Sequence, residues 1–315
     1  MYRNNTIITF SDYKNKNEIG IYKNKRCREL IKIEDVDIMN PISRNLGRDI
    51  LNYLSNFKIY NYDTNSGLLN HLAIRNNESN EFMLEFYIHE YDEKLLNKIK
   101  IYKNKLYNIK SIYYQIVKNK NDFRSEYILL HGDKYLSYNV LDKTICIQAG
   151  SFFQTNNIIL QDMYSDIYNY LDKGELFIDL YCGVGIMSIL VSEKYNKCIG
   201  IEINKNAIDV ATHNMNINKC KNCNFICSSV ENIINNIDIN NAVIFINPPR
   251  RGLYSNVINE INSLKSNIKQ ILYLSCNKKS LERDLELFHY RHKYINQYNM
   301  FPKTNHNEYL VNLFL

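Results

Sequence analysis

Phe177-Ile178-Asp179-Leu180-Tyr181-Cys182-Gly183-Val184-Gly185 is a short apolar run ending in a glycine turn, and Ile199-Gly200-Ile201-Glu202 is a second apolar run closing on a carboxylate. A strand, a glycine turn, a helix and a second strand ending in an acid about 20 residues on are the nucleoside-binding half of a Rossmann-like sheet. Gly183 and Gly185 let the backbone turn sharply and approach a ligand, because a side chain would clash there. Glu202 is then placed to accept hydrogen bonds from both hydroxyls of a ribose. The turn has two glycines and no third to cradle a pyrophosphate, and Asp179 stands just before it. That combination suits a cationic sulfonium nucleoside, so the predicted cofactor is S-adenosyl-L-methionine.

Working outward, residues 156–171 have helical spacing, and from Leu176 apolar strands alternate with helices. The strands are predicted at 176–180, 198–201, 225–228, 243–247 and 271–275, with a terminal pair at 294–298 and 308–315. Near-continuous apolar strands separated by helices indicate a parallel sheet covered on both faces. The first half reads differently. Strands broken by polar turns fill 1–35, and Ile42, Leu46, Ile50 and Leu54 form a helix face behind Pro41, a proline suited to a first turn. Strands follow at 68–75 and 82–88, a helix around Leu95, Leu96 and Ile99, and strands near 109–117, 127–130 and 144–147. The fold class is therefore α/β: a strand-rich α+β domain over 1–150, then a Rossmann-like domain with a parallel-dominated sheet over 151–315.

The chain has 315 residues, enough for two domains each with its own core. Hydrophobic residues make up 45% and charged residues 23%, which excludes wholesale disorder. Lys and Arg exceed Asp and Glu by 39 to 33, a net charge of +6, a surplus compatible with a polyanionic partner. The eight cysteines are scattered and the start has no signal-peptide core, so a reduced, cytoplasmic protein is expected. No apolar run approaches the ~18 residues of a membrane span, and a monomer is expected. Cys220, Cys223 and Cys227 have a suggestive spacing but no obvious fourth ligand, so no metal site is predicted.

Two further strand ends carry chemistry. Ile271-Leu272-Tyr273-Leu274-Ser275-Cys276-Asn277 delivers a cysteine at the carboxyl end of a strand, the edge where open α/β sheets bind ligands. The helix predicted after it, together with Lys278 and Lys279, would favour the thiolate. A strand-end cysteine is usually a small buried hydrophobe, and only this setting argues otherwise. Val243-Ile244-Phe245-Ile246-Asn247-Pro248-Pro249-Arg250 ends another strand. An Asn-Pro-Pro turn there can hold an exocyclic amino group, but the next residue would then be aromatic, and here it is Arg250.

Together these stretches resemble the RNA uracil-C5 methyltransferase family, which makes 5-methyluridine in transfer and ribosomal RNA. The resemblance runs over nearly the whole chain, from Tyr2-Arg3-Asn4 through Gly67 to Arg75, Ser151-Phe152-Phe153-Gln154-Thr155-Asn156, Asp179 to Gly185, Pro248 to Leu253 and Ser275-Cys276-Asn277 to Phe301-Pro302-Lys303-Thr304-Asn305-His306-Asn307-Glu308. A Ser-Cys-Asn strand end with a late Thr-x-His-x-Glu is the specific pairing. It implies a class I S-adenosyl-L-methionine-dependent enzyme in which Cys276 adds to uracil C6, making C5 nucleophilic, and Glu308 later removes the C5 proton. It also places Gln154, Tyr181, Glu202 and Asn247 at cofactor-contacting positions, beside the Asp179, Gly183 and Gly185 turn.

There are departures. The family usually has aspartate where Asn247 stands, a polar residue where Ile186 stands and an acid or amide near Ser229. Many relatives carry an oligonucleotide-binding barrel and four iron–sulfur cysteines ahead of the Tyr-Arg-Asn stretch, where this chain starts, so both are expected to be missing. RNA contact is then expected from the first domain and the crevice rim: Lys and Tyr alternate in Lys98-Ile99-Lys100-Ile101-Tyr102-Lys103-Asn104-Lys105, and Lys118-Asn119-Lys120 is expected on a hairpin, although a plain solvated face reads equally well in so Lys- and Tyr-rich a chain. Two other readings stay open. An amino-group methyltransferase acting on adenine or guanine would leave Cys276 structural, and a catalytically silent RNA-binding module would explain the departures.

Overall fold

The computed structural model describes residues 5–13, 16–24, 27–36, 39–61, 64–102, 106–117, 126–153, 156–300 and 307–315. The chain divides into two compact units, Met1–Tyr138 with Gln148–Gly150, and Asn139–Ile147 with Ser151–Leu315.

The first unit is built on a seven-stranded sheet. Its strands are β1 (Asn5–Tyr13), β2 (Lys16–Asn24), β3 (Cys27–Lys32), β4 (Leu69–Asn76), β5 (Glu81–Ile88), β6 (Asn108–Ile116) and β7 (Ile128–Gly132), in the order β3-β2-β1-β4-β5-β6-β7. Only β5 and β6 run parallel, joined by the crossover helix α2 (Glu93–Lys100). The helix predicted behind Pro41 is α1 (Pro41–Tyr53), started by Asn40, whose side chain accepts from the Ile42 N–H at 2.8 Å. Its apolar face, Leu46 and Ile50, packs into a core with Ile8, Phe10 and Ile19 from the sheet. Within this unit Arg75 and Glu85 form a buried ion pair at 2.5 Å, and burial holds the His71 imidazole at about 4.

A short strand pair follows, β8 (Leu136–Val140) and β9 (Lys143–Ile147). β8 was not legible as a strand. Residues 139–147 go with the second unit, so the division crosses this pair.

The second unit holds α3 (Asn157–Tyr170), β10 (Gly174–Leu180), α4 (Ile186–Leu190), β11 (Tyr195–Glu202), α5 (Lys205–Ile217), β12 (Cys223–Cys227), α6 (Val230–Ile233), β13 (Ala242–Ile246), α7 (Ser255–Ser263), β14 (Ile268–Ser275), α8 (Lys278–Leu287), β15 (Arg291–Asn299) and β16 (Asn307–Phe314). The sheet order is β12-β11-β10-β13-β14-β16-β15. The first five strands in that order are parallel, and the apolar residues of the inner strands β10, β13 and β14 are buried on both faces, the Rossmann-like α/β arrangement the sequence predicts. β12 begins at Cys223, two positions ahead of its predicted start at Phe225.

One reversal decides the rest. β16 runs antiparallel to β14, so its first residues lie at the edge where the parallel strands end. No helix among the described residues is long and apolar enough to cross a membrane.

Candidate active site

Four parallel strands deliver predicted site residues to one edge: β10 leads into Tyr181 and the glycine turn, β11 ends on Glu202, β13 is followed by Asn247, and β14 by Cys276. The reversed strand β16 brings Glu308 there from the opposite direction. Ser275 pairs with Tyr309 across β14 and β16, so one further step of the same register sets Glu308 beside Cys276.

The glycine turn is left-handed at three places. Gly183 and Gly185 have φ of +54° and +81°, and Tyr181 has φ of +62°, a conformation that costs a residue with a side chain free energy and clusters at functional sites. A Cβ at Gly185 would come within 2.6 Å of the Phe225 ring, whereas one at Gly183 would meet nothing within 4 Å. Gly185 is thus glycine for packing, and Gly183 borders open space. Glu202 faces that turn. Its Oε2 accepts from the Gly183 N–H at 3.2 Å and its Oε1 from the Asn204 N–H at 2.9 Å, and the residue is only partly buried. The Tyr181 hydroxyl donates to Glu231 at 3.1 Å, a partner sequence reading did not single out.

Asp179 stands on β10 just ahead of the glycine turn. It is buried, and its Oδ2 accepts from both the N–H and the hydroxyl of Ser188, at 3.2 and 2.9 Å. Its carboxyl pins the first turn of α4 behind the glycine loop. Burial outweighs those two hydrogen bonds, with help from Glu202, and raises its pKa to about 7. Asn247 is partly buried, and its N–H bonds the Leu180 carbonyl at 3.4 Å. Gln154 lies outside the described residues, as do Tyr2 to Asn4, Lys118 to Lys120, Lys103 to Lys105, Thr304 and His306.

Cys276 is exposed just ahead of α8, and Glu308 is buried. Partial desolvation and then the Glu308 carboxylate push the thiol above its ordinary pKa, while the Arg250 guanidinium, which hydrogen-bonds it, draws it down. The cation serving the thiol is therefore Arg250, not the lysines expected for that role. Lys278 instead pairs with Glu282 one helical turn on, at 3.7 Å.

Arg250 is held there by its backbone. Its carbonyl accepts from Asn277 Nδ2 at 2.9 Å and Ser280 Oγ at 3.1 Å, and the Arg251 carbonyl accepts from Arg283 at 2.8 Å. Asp284, fully buried, accepts from the Leu253 N–H at 2.8 Å and the Tyr273 hydroxyl at 2.6 Å. The Pro-Pro-Arg-Arg-Gly-Leu turn is thereby fastened to α8. Its signal was present in the sequence as a rigid turn and as one stretch of the family resemblance, but not as a partner of Cys276.

Among the other cysteines, Cys220 and Cys223 are buried against Ser192 and the Ser188 carbonyl, and Cys227 is exposed.

Residues 76–314 match the family described as tRNA (Uracil-5-)-methyltransferase. The chain belongs to that family. An uncharacterized RNA methyltransferase of Fusobacterium nucleatum is 30% identical over 98% of this chain and 68% of its own length, and one of Clostridium acetobutylicum is 28% identical over 98% and 71%. The structure is also similar to that of the Pyrococcus abyssi tRNA (uracil-54, C5)-methyltransferase, solved with S-adenosyl-L-homocysteine. That similarity has a TM-score of 0.80 at 23% identity and covers 99% of this chain and 76% of the other. This tRNA (uracil-5-)-methyltransferase family member is an RNA methyltransferase with the family's α/β fold.

Proposed function

We propose that the protein methylates C5 of a uridine in a structured transfer or ribosomal RNA, with Cys276 as covalent nucleophile and Glu308 as the base that removes the C5 proton. The observation that carries this reading is the meeting of those two residues at one sheet edge, from strands of opposite direction, with Arg250 close enough to favour the thiolate.

S-adenosyl-L-methionine suits the turn beside them. Open space in front of Gly183 leaves room for a nucleoside, and each Glu202 oxygen, already taking one backbone N–H, keeps a lone pair for a ribose hydroxyl. Tyr181 and Asn247 flank the same turn, and Asp179 keeps it in shape. When bound, the cofactor supplies an electrophilic methyl group.

The protein's own steps concern the base. Extruding the uridine from its stack brings its ring to Cys276. As the S–C6 bond forms, the C5–C6 π pair becomes an enolate, which makes C5 the nucleophile. Arg250 favours the thiolate needed for that addition and opposes the effect of Glu308. Once C5 carries its new methyl group, Glu308 takes the C5 proton, the C5–C6 double bond re-forms, and the S–C6 bond breaks to release the thiolate.

The test is a pair of variants. Cys276→Ala should abolish methylation while RNA binding survives, since phosphate and stacking contacts supply most of the affinity. Glu308→Gln should methylate and then stall as a covalent enzyme–RNA adduct that withstands denaturing electrophoresis and carries label from methyl-labelled cofactor. Normal 5-methyluridine formation by Cys276→Ala would sink the covalent scheme.

A further inference from the structure

Glu202 is not the only side chain that grips the glycine turn. Asn214 on α5 is fully buried, and its Nδ2 donates to the Val184 carbonyl at 3.0 Å. Val184 stands between Gly183 and Gly185, the two left-handed glycines. The same amide is fixed on β9, where Nδ2 also donates to the Cys146 carbonyl at 3.0 Å and Oδ1 accepts from the Cys146 N–H at 2.8 Å. One turn further along α5, Asn218 treats Thr144 in the same way. Its Nδ2 donates to that carbonyl at 2.7 Å and its Oδ1 accepts from that N–H at 3.0 Å. The second hydrogen of the Asn218 amide goes to the Asn214 carbonyl at 2.8 Å, not to the turn. Residues four apart on a helix rise about 6 Å and alternate strand residues lie about 6.6 Å apart, so two asparagines on α5 bond β9 as a neighbouring strand would.

We infer that Asn214 is a positioning residue for the cofactor: it selects the arrangement of the glycine turn that receives S-adenosyl-L-methionine. The inference rests on the proposed placement of the nucleoside at that turn. A glycine at 185 lets the Val184–Gly185 peptide rotate at little cost, so the turn needs an outside partner to keep one conformation. Val184 is buried, so its carbonyl needs a donor. Gly185 stands at the start of α4 and has no side chain with which to cap it. Without the Asn214 amide the carbonyl is left unpaired in the core, and the peptide turns towards another donor. That rotation changes φ of Gly185. It redirects the chain between the Gly183 N–H, held by Glu202, and the first turn of α4, held by Asp179. Because both polar groups of Cys146 hold Asn214 in place, its amide cannot follow the turn. The conformation that binds is thereby set before the ligand arrives.

The experiment measures binding of S-adenosyl-L-homocysteine by calorimetry, with a melting temperature for each variant. Asn214→Ala should weaken Kd roughly three- to tenfold, the worth of one hydrogen bond. Asn214→Asp keeps the shape and the acceptor for the Cys146 N–H, so it serves if the smaller residue does not fold. Ionised at alkaline pH, it has no donor for Val184 and should weaken binding at least as much. Asn218→Ala loosens β9 without touching the turn. It should melt lower yet bind within about twofold of wild type, since it breaks no bond to the turn. Alkylation of Cys276 should keep its wild-type pH dependence in the Asn214 variants, because the loss is confined to the cofactor turn. An Asn214 variant that melts lower yet binds as tightly as wild type would overturn the inference, and so would an Asn218→Ala that weakens binding equally. Glu202→Ala, run in parallel, judges the placement separately. If it also binds as wild type does, the nucleoside is held elsewhere, whereas a loss there with none at Asn214 faults only the role of Asn214.

Discussion

The side-chain amide of Asn277 donates to the main-chain carbonyl of Arg250 at 2.9 Å, tying the Pro-Pro-Arg turn to the strand end that carries Cys276. The other end of the same amide accepts from the Lys279 N–H at 3.1 Å and caps α8. One residue thus starts the helix and ties down the backbone of the residue whose guanidinium draws the thiol pKa down.

Asn277→Asp separates these two tasks. Aspartate still caps a helix, but it cannot donate to the Arg250 carbonyl and brings a negative charge near the thiol. We expect a melting temperature within a few degrees of wild type and a fall in kcat of about tenfold, from the lost hydrogen bond and a less accessible thiolate. Asn277→Ala should lower both stability and activity. Equal activity for wild type and Asn277→Asp would show that the tie to Arg250 does not matter.

The thiol itself should respond to its two charged neighbours with opposite sign. Arg250 lowers the Cys276 pKa and Glu308 raises it. Arg250→Ala should move the thiol titration upward and Glu308→Gln should move it downward. The pH dependence of alkylation at the Cys276 peptide, followed by mass spectrometry, reports this directly. Shifts in the same direction would mean that the pair does not bracket the thiol.

Much of this arrangement was legible in the chain because it is local. Gly183, Gly185 and Glu202 announce a glycine turn facing an acid by spacing alone, and Cys276 announces itself by ending an apolar strand. Arg250 was not legible as the partner of Cys276, since their contact depends on Asn277, Ser280 and Arg283 reaching back 27 to 32 positions. The partner of Asp179 was not legible for a related reason. Periodicity shows that an acid precedes the turn, but only the fold shows that Ser188 meets it. β8 escaped notice because its five residues, Leu136–Val140, include two polar positions and carry too little pattern.

Asp179 leads to a dependence of stability on pH. Its carboxyl has a pKa of about 7 in the folded protein against an ordinary 3.8, so the native state keeps a proton that the unfolded chain gives up. Stability should be greatest, from this group, below about pH 4, fall as pH rises towards 7, and be flat above it. The full effect is on the order of 4 kcal/mol. Asp179→Asn leaves Ser188 an acceptor and removes the titration. Melting curves between pH 5 and 8 should slope less for that variant, and parallel slopes would show that Asp179 is ionised throughout.

Glu202 offers the sharpest test of where the nucleoside binds. Its two oxygens hold the Gly183 and Asn204 N–H groups, so the carboxylate is fixed in place before any ligand arrives, and each oxygen keeps a lone pair to accept a further hydrogen bond. Preorganised acceptors of this kind cost little to use. Removing a charge-assisted pair of ribose contacts should weaken binding by about 1.5–3 kcal/mol, or roughly ten- to a hundredfold in Kd. Calorimetry with S-adenosyl-L-homocysteine should show that loss for Glu202→Ala and a smaller one for Glu202→Gln, which keeps one accepting oxygen and no charge. Because Glu202 also steadies the glycine turn, melting temperature is measured alongside. A variant that melts lower yet binds as tightly as wild type would confine Glu202 to the turn, and the ribose would have to be held elsewhere.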